Sequence, residues 1–99
     1  MEALGLKLAP LDAQVAERLN IDPATEGVVI TEVDPESDAA DKALRAGDVI
    51  LEVNQDPVTA PGDVAEAVQS AQDAGRKSVL LRIERDGNQR FVAVRLGRR

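Results

Sequence analysis

The sequence predicts an α+β domain, a small curled, partly open barrel of antiparallel sheet with about five strands, capped by two helices. Three observations carry that expectation. Aliphatic and β-branched runs recur at residues 4–8, 28–33 and 49–53, each bounded by Gly, Pro, Asn or Asp. A stretch after Gly62 without Gly or Pro places Val64, Ala67, Val68 and Ala71 at helical spacing, one face of a long helix. Two final runs, 79–85 and 90–96, flank Asp86-Gly87, a dipeptide suited to a tight hairpin.

Taken in order, the alternation in Leu4-Gly5-Leu6-Lys7-Leu8 predicts a first strand with its three leucines on one face, ended by Pro10. Asp12 is the expected N-cap of a helix carrying Val15, Ala16 and Leu19, which Asn20-Ile21-Asp22-Pro23 breaks. Val28-Val29-Ile30-Thr31 continues to Val33 as a second strand and stops at Asp34-Pro35. The Ala-rich segment after Ser37 predicts a short helix over 39–44. Gly47-Asp48 then turns the chain into a third strand, closed by a turn over 54–57. The long helix, expected over 62–74, has Gly75 as its C-terminal cap, with Arg76 and Lys77 near the negative end of its dipole. No linker or repeat divides the chain, so one domain is expected over 4–96, with 1–3 and 97–99 as flanking ends.

Composition narrows the function. With 18 acidic and 12 basic residues the net charge is −6, which repels a phosphate backbone and argues against nucleic acid as a partner. No apolar run approaches the length of a membrane span, so direct membrane insertion is not expected. The first five residues lack the basic start and apolar stretch of a signal peptide, so an export signal would lie upstream. Phe91 is the sole aromatic residue, which leaves Val, Leu, Ile and Ala to build the core.

Chemistry is hard to place in these residues. Without His or Cys the usual serine or cysteine triads cannot be assembled, and Ser37, Ser70 and Ser78 lack an obvious base. Gly5, Gly27 and Gly47 form no phosphate-binding pattern. The acidic run Asp34, Glu36, Asp38, Asp41 fails a calcium-loop template, because Ala39 stands where Gly is needed and Arg45 where the bidentate Glu belongs. Carboxylate pairs exist, but nothing marks one as buried. No catalytic residue, cofactor or metal site is expected, and the acidic run reads as a solvated loop.

Four segments, in order and at compatible spacing, carry a resemblance that covers nearly the whole chain. Ala3-Leu4-Gly5-Leu6-Lys7-Leu8 looks like a carboxylate-binding loop and the strand after it. Gly27-Val28-Val29-Ile30-Thr31-Glu32-Val33-Asp34-Pro35-Glu36-Ser37, followed by Ala39-Ala40, looks like a second strand and turn. The most specific piece is Leu44-Arg45-Ala46-Gly47-Asp48-Val49-Ile50-Leu51-Glu52-Val53-Asn54, and Asp63-Val64 with Arg90-Phe91-Val92-Ala93-Val94-Arg95-Leu96 complete the set. The chain thereby resembles a PDZ domain, and more narrowly the C-terminal PDZ copy of the HtrA or protease Do (DegP-like) serine protease family. It departs from that pattern at Glu36, Asp38 and Ala43, where related sequences have Gly, Pro and Gly, and at Asp56, which replaces the Gly of an Asn-Gly turn.

The resemblance implies a peptide-binding module without a catalytic site of its own. PDZ domains are themselves an example of ligand capture by strand addition. A ligand would pair with Leu6-Lys7-Leu8, whose outer N–H and C=O groups are expected to be unpaired, and lie against the long helix. The amides of Leu4, Gly5 and Leu6 would converge on its terminal carboxylate. Leu4, Leu6 and Leu8 with Val68 and Ala71 would wall the pocket for the last side chain, Val64 would meet the residue two places earlier, and Lys7 and Ala67 would complete the groove. Apolar C-termini are expected, with no demand for a hydroxyl. The implied partners are C-termini or unfolded segments of proteins and a linked protease domain. The implied parent is a homo-oligomeric serine endopeptidase of the periplasm or cell envelope. An assembly role in the same oligomer, or a place in another envelope protease or secretion component, is the alternative. Without the resemblance these leucines and valines read as ordinary core residues, and Lys7 as a solvated strand residue.

Overall fold

The computed structural model describes residues 2–96. Its elements run β1 (Glu2–Ala3), β2 (Leu6–Pro10), α1 (Ala13–Arg18), β3 (Val28–Val33), α2 (Asp38–Asp41), β4 (Val49–Val53), β5 (Asp56–Pro57), α3 (Pro61–Asp73), β6 (Ser78–Arg85) and β7 (Asn88–Arg95). The strands make one antiparallel sheet in the order β1-β2-β3-β4-β6-β7, with β5 paired to β4 off that path. The sheet does not close, and the class is the α+β one the sequence predicts. The count is seven rather than about five, because β1 and β5, at two residues each, are too short to leave a periodic pattern.

Local chemistry accounts for the element ends. Asp12 Oδ1 accepts the Val15 N–H at 2.8 Å and starts α1. Ser37 Oγ does the same for α2 through the Ala40 N–H at 3.2 Å. That helix stops at Asp41, short of the expected 39–44, and Ala43 adopts a left-handed φ of 66°. Asp86 and Gly87 are both left-handed, at φ 51° and 81°, as a two-residue hairpin requires. So are Asn54 and Gln55, at 51° and 70°. The turn after β4 is therefore Asn54-Gln55, and Asp56, expected in the place of the family glycine, lies in β5 instead.

Successive strand residues face opposite sides of the sheet, and the burial follows. Val28 and Ile30 of β3 join the main cluster beneath α3, together with residues of β2, β4, β6 and β7. Val29 and Val49 turn the other way, to a smaller cluster with Ala16 and Ile21. Phe91 takes no part: it is 58% exposed, with the Arg82 guanidinium 5.7 Å from its ring centre. Gly27 permits the close approach of β3 to β4, since a Cβ there would stand 2.7 Å from the Ile50 carbonyl oxygen.

One ion pair closes the end of the molecule near the β6–β7 turn. Asp48 is 1% exposed, and its two oxygens accept from Arg85 Nε and Nη2 at 2.7 Å each, while the Arg45 N–H adds a bond at 3.0 Å. This fork neutralises a carboxylate that would otherwise be buried with its charge. Arg85→Ala should lower the unfolding free energy by about 3 kcal/mol in urea titration, since the abandoned charge costs more than the pair contributes; a loss within about 0.5 kcal/mol would refute that role.

Candidate ligand groove

The period of two in β2 and the helical period of α3 bring one set of side chains together. Leu6, Leu8, Val64, Val68 and Ala71 are all buried in a single apolar cluster, with Leu4 and Ala67 packed on it from partly buried positions. Lys7 takes the opposite face, where its Nζ lies 3.1 Å from Glu32. Ala67 sits on the shoulder of α3 turned towards β5. There it lines a separate cavity of about 480 Å³ with Ser70, Ala71, Val53 and Pro57.

The edge of β2 expected to be unpaired is not open at Leu6 and Lys7. β1 runs antiparallel along it, with Ala3 opposite Leu6 and Glu2 opposite Lys7, and packs against α3 on its other side. The physical reason is the turn at Leu4-Gly5: both residues are left-handed, at φ 58° and 75°, and fold the chain back on itself as a two-residue hairpin. The pair flanking such a turn exchanges N–H···O bonds, which directs the Leu6 amide at Ala3 and takes it out of the expected carboxylate nest. Gly5 marks a tight turn in the sequence, but Leu4 does not, because Leu is a poor residue for a left-handed position.

At the head of β2 the turn is clamped from below. The Gly5 carbonyl accepts the Asp34 N–H at 2.8 Å, and a Cβ on Gly5 would stand 2.6 Å from Ser37 Cβ, so only glycine lets the loop settle on 34–37. Before it opens a depression of about 1040 Å³, lined by Leu4, Gly5, Val68, Gln72, Arg95, Leu96 and the carboxylates Asp34, Glu36, Asp38 and Asp41. Leu4, Gly5 and Val68 are thus the expected residues that face this cavity. Gln72, Arg95 and Leu96 were not anticipated. Gln72 was within reach, lying four residues after Val68 on the same helix face. Arg95 ends β7 and Leu96 follows it, and the placement of that strand depends on long-range pairing.

Charge at this head is mostly negative but partly tied down. Asp38 Oδ2 accepts the Arg95 N–H at 2.8 Å and Lys42 Nζ at 3.0 Å, and the Arg95 bond above all holds its carboxyl below the ordinary value. Asp34 Oδ1 accepts the Glu36 N–H at 2.9 Å. Arg95 lines the depression together with these groups.

The far end of the groove is set by Asp63. Its Oδ2 accepts the N–H groups of Thr59 and Ala60 at 2.9 and 3.1 Å and the Thr59 hydroxyl at 3.2 Å, fixing the entry to α3 one residue before Val64. Those bonds, led by the one from Thr59 N–H, hold the Asp63 carboxyl below its ordinary 3.8.

Comparison with known proteins gives consistent relatives. Residues 3–96 match the family model described as PDZ domain. A protein of Brucella suis named "Probable periplasmic serine endoprotease DegP-like" is 49% identical over 69 residues, 70% of this chain and 14% of that protein. One of Bartonella henselae with the same name is 42% identical over 94 residues, 95% of this chain and 16% of that protein. The magnetosome formation protease MamE of Paramagnetospirillum magneticum is 37% identical over 94 residues, 95% of this chain and 12% of its own. The chain therefore spans 12–16% of the length of these three relatives. Among solved structures, the HtrA3 PDZ domain bound to a phage-derived ligand superposes with a TM-score of 0.77 at 19% identity, over 96% of this chain and 84% of that one. The HtrA-type protease AlgW with a decapeptide gives 0.68 at 20% identity, over 94% of this chain and 28% of that one. At such identities the likeness is one of fold.

Because the Asp63 carboxyl titrates lower in the folded chain than in the unfolded one, its stabilisation is complete above its unfolded value and is lost as pH falls through its folded value. The urea midpoint of the wild-type chain should therefore drop more steeply than that of Asp63→Asn between about pH 5 and about pH 2.5. Parallel curves would remove Asp63 from the acid response.

Proposed function

This chain belongs to the PDZ domain family, and on that premise we propose that it captures polypeptide C-termini or extended segments as an added strand between β2 and α3. It would do so as one domain, residues 4–96, of a DegP-like serine endopeptidase in the periplasm. The observation that carries the reading is the pairing on β2: a strand lies against α3, antiparallel to β2, with its C-terminal end at the Leu4-Gly5 head. A C-terminal peptide needs that same edge, direction and end point. The names of the relatives at 49% and 42% identity support the protease parent and the periplasmic location. The peptides bound to HtrA3 and AlgW support ligand capture by this fold. The domain itself has no His and no Cys, so the proteolysis would belong to another region.

In this reading the last ligand side chain enters the depression beside Leu4, Val68, Gln72 and Leu96. The carboxylate meets the amides of the Leu4-Gly5 turn, with Arg95 as the nearby cation. Leu6, Leu8, Val64 and Ala71 form the apolar floor and wall, Ala67 the outer shoulder of the helix, and Lys7 stays on the far face. The acidic rim favours ligands that carry a basic residue and no further negative charge. Burial of one aliphatic side chain supplies roughly 1.5–3 kcal/mol, which with a short strand sets affinity near micromolar or weaker.

A second reading, assembly within an oligomeric parent, gains from one observation: β2 already has a strand on its outer edge at Leu6 and Lys7. A parent lacking residues 1–99 would then lose its oligomeric state yet still cleave peptides.

Titration with a hexapeptide ending in Val, followed by amide NMR, should move the signals of residues 4–8 and 64–72 with a dissociation constant of about 1–100 μM. The same peptide with an amidated C-terminus should bind about tenfold more weakly. Unmoved signals in both segments would remove the capture reading.

A further inference from the structure

We propose that β1 is a displaceable occupant of the groove, a strand supplied by the chain itself that keeps the edge of β2 closed until a peptide takes over its pairing. The inference rests on the peptide-capture reading and adds its regulation. Ala3 stands opposite Leu6 and is packed on the main cluster, at the place a ligand's last residue would take, and Glu2 follows one step further from the head. β1 shares the ligand's direction because it too runs towards the Leu4-Gly5 turn. It also touches α3, so no second strand fits between β1 and the helix. A peptide must therefore replace β1 and cannot simply be added beside it.

Two features make that replacement feasible. Among the described residues the occupant pairs through Glu2 and Ala3, and Ala3 offers a single methyl where a peptide ending in Val or Leu offers a larger apolar group. Its turn also needs Leu4 in the left-handed region, at φ 58°, a conformation that leucine disfavours. The groove is then open for only a fraction of the time, and the apparent dissociation constant is the intrinsic one divided by that fraction. By reciprocity, whatever holds residues 2–3 in place weakens the ligand, and ligand binding sets residues 2–3 free.

The test compares three chains: wild type, one lacking Glu2 and Ala3, and Ala3→Pro, which loses the N–H that faces Leu6 but keeps the groove walls. The probe is a fluorescein-labelled hexapeptide ending in Val, read by anisotropy. Both variants should bind it about three- to tenfold more tightly than wild type, the equivalent of one or two strand hydrogen bonds. In wild type the cross-strand NOE between Ala3 and Leu6 should be present in the free chain and vanish at saturation. Equal or weaker binding by both variants, or an NOE that survives saturation, would overturn the proposal while leaving peptide capture intact. If none of the three chains binds the probe, peptide capture itself fails, and this inference fails with it.

Discussion

The architecture of the groove depends on burying alternate leucines of β2 in the same apolar cluster as one face of α3. Leu6 and Leu8 on the strand, and Val64, Val68 and Ala71 on the helix, exclude water jointly, so strand and helix must lie side by side. Once that packing is fixed, the backbone of β2 has β3 along one edge, and along the other β1, which also contacts α3. Lys7 is forced outward by the same alternation, to Glu32. The apolar side chains are thus core residues first, and their relation to a ligand follows from where the core places the backbone.

Much of this was legible where the signal was local. Asp12 caps α1 as its position before Val15 implies, Val64 to Ala71 bury the expected face of α3, and Asp86-Gly87 makes the expected hairpin. The α+β class follows from those elements. What escaped was non-local or ran against residue preference. β1 has no pattern, and its turn places a leucine where Gly or Asn would be expected. The left-handed pair after β4 falls on Asn54-Gln55 because the paired strands demand it, although Gln is not a turn residue by composition. The burial of Asp48 and its fork with Arg85 join positions 37 apart in the chain, beyond any window of sequence. Asp63 was recognised as opening the helix, but its bonds to Thr59 and Ala60 needed coordinates.

The charges divide the molecule into two kinds of site. Asp48 and Arg85 are matched atom to atom, and their role is to let a strand end and a loop be buried together. At the head of β2 the carboxylates line a depression instead, where Asp38 is held by Lys42 and by the Arg95 N–H and Asp34 by the Glu36 N–H. Among the described residues Arg95 lines the same depression as these carboxylates, and in the proposed capture role their field would select ligands by charge.

The aliphatic core has a spectroscopic consequence. With Phe91 at the surface and neither Trp nor Tyr in the chain, the domain gives no indole or phenol emission and almost no near-ultraviolet dichroism. Any such signal in a longer polypeptide containing it arises elsewhere. An indole carried in on a visiting peptide would report its surroundings against a dark background.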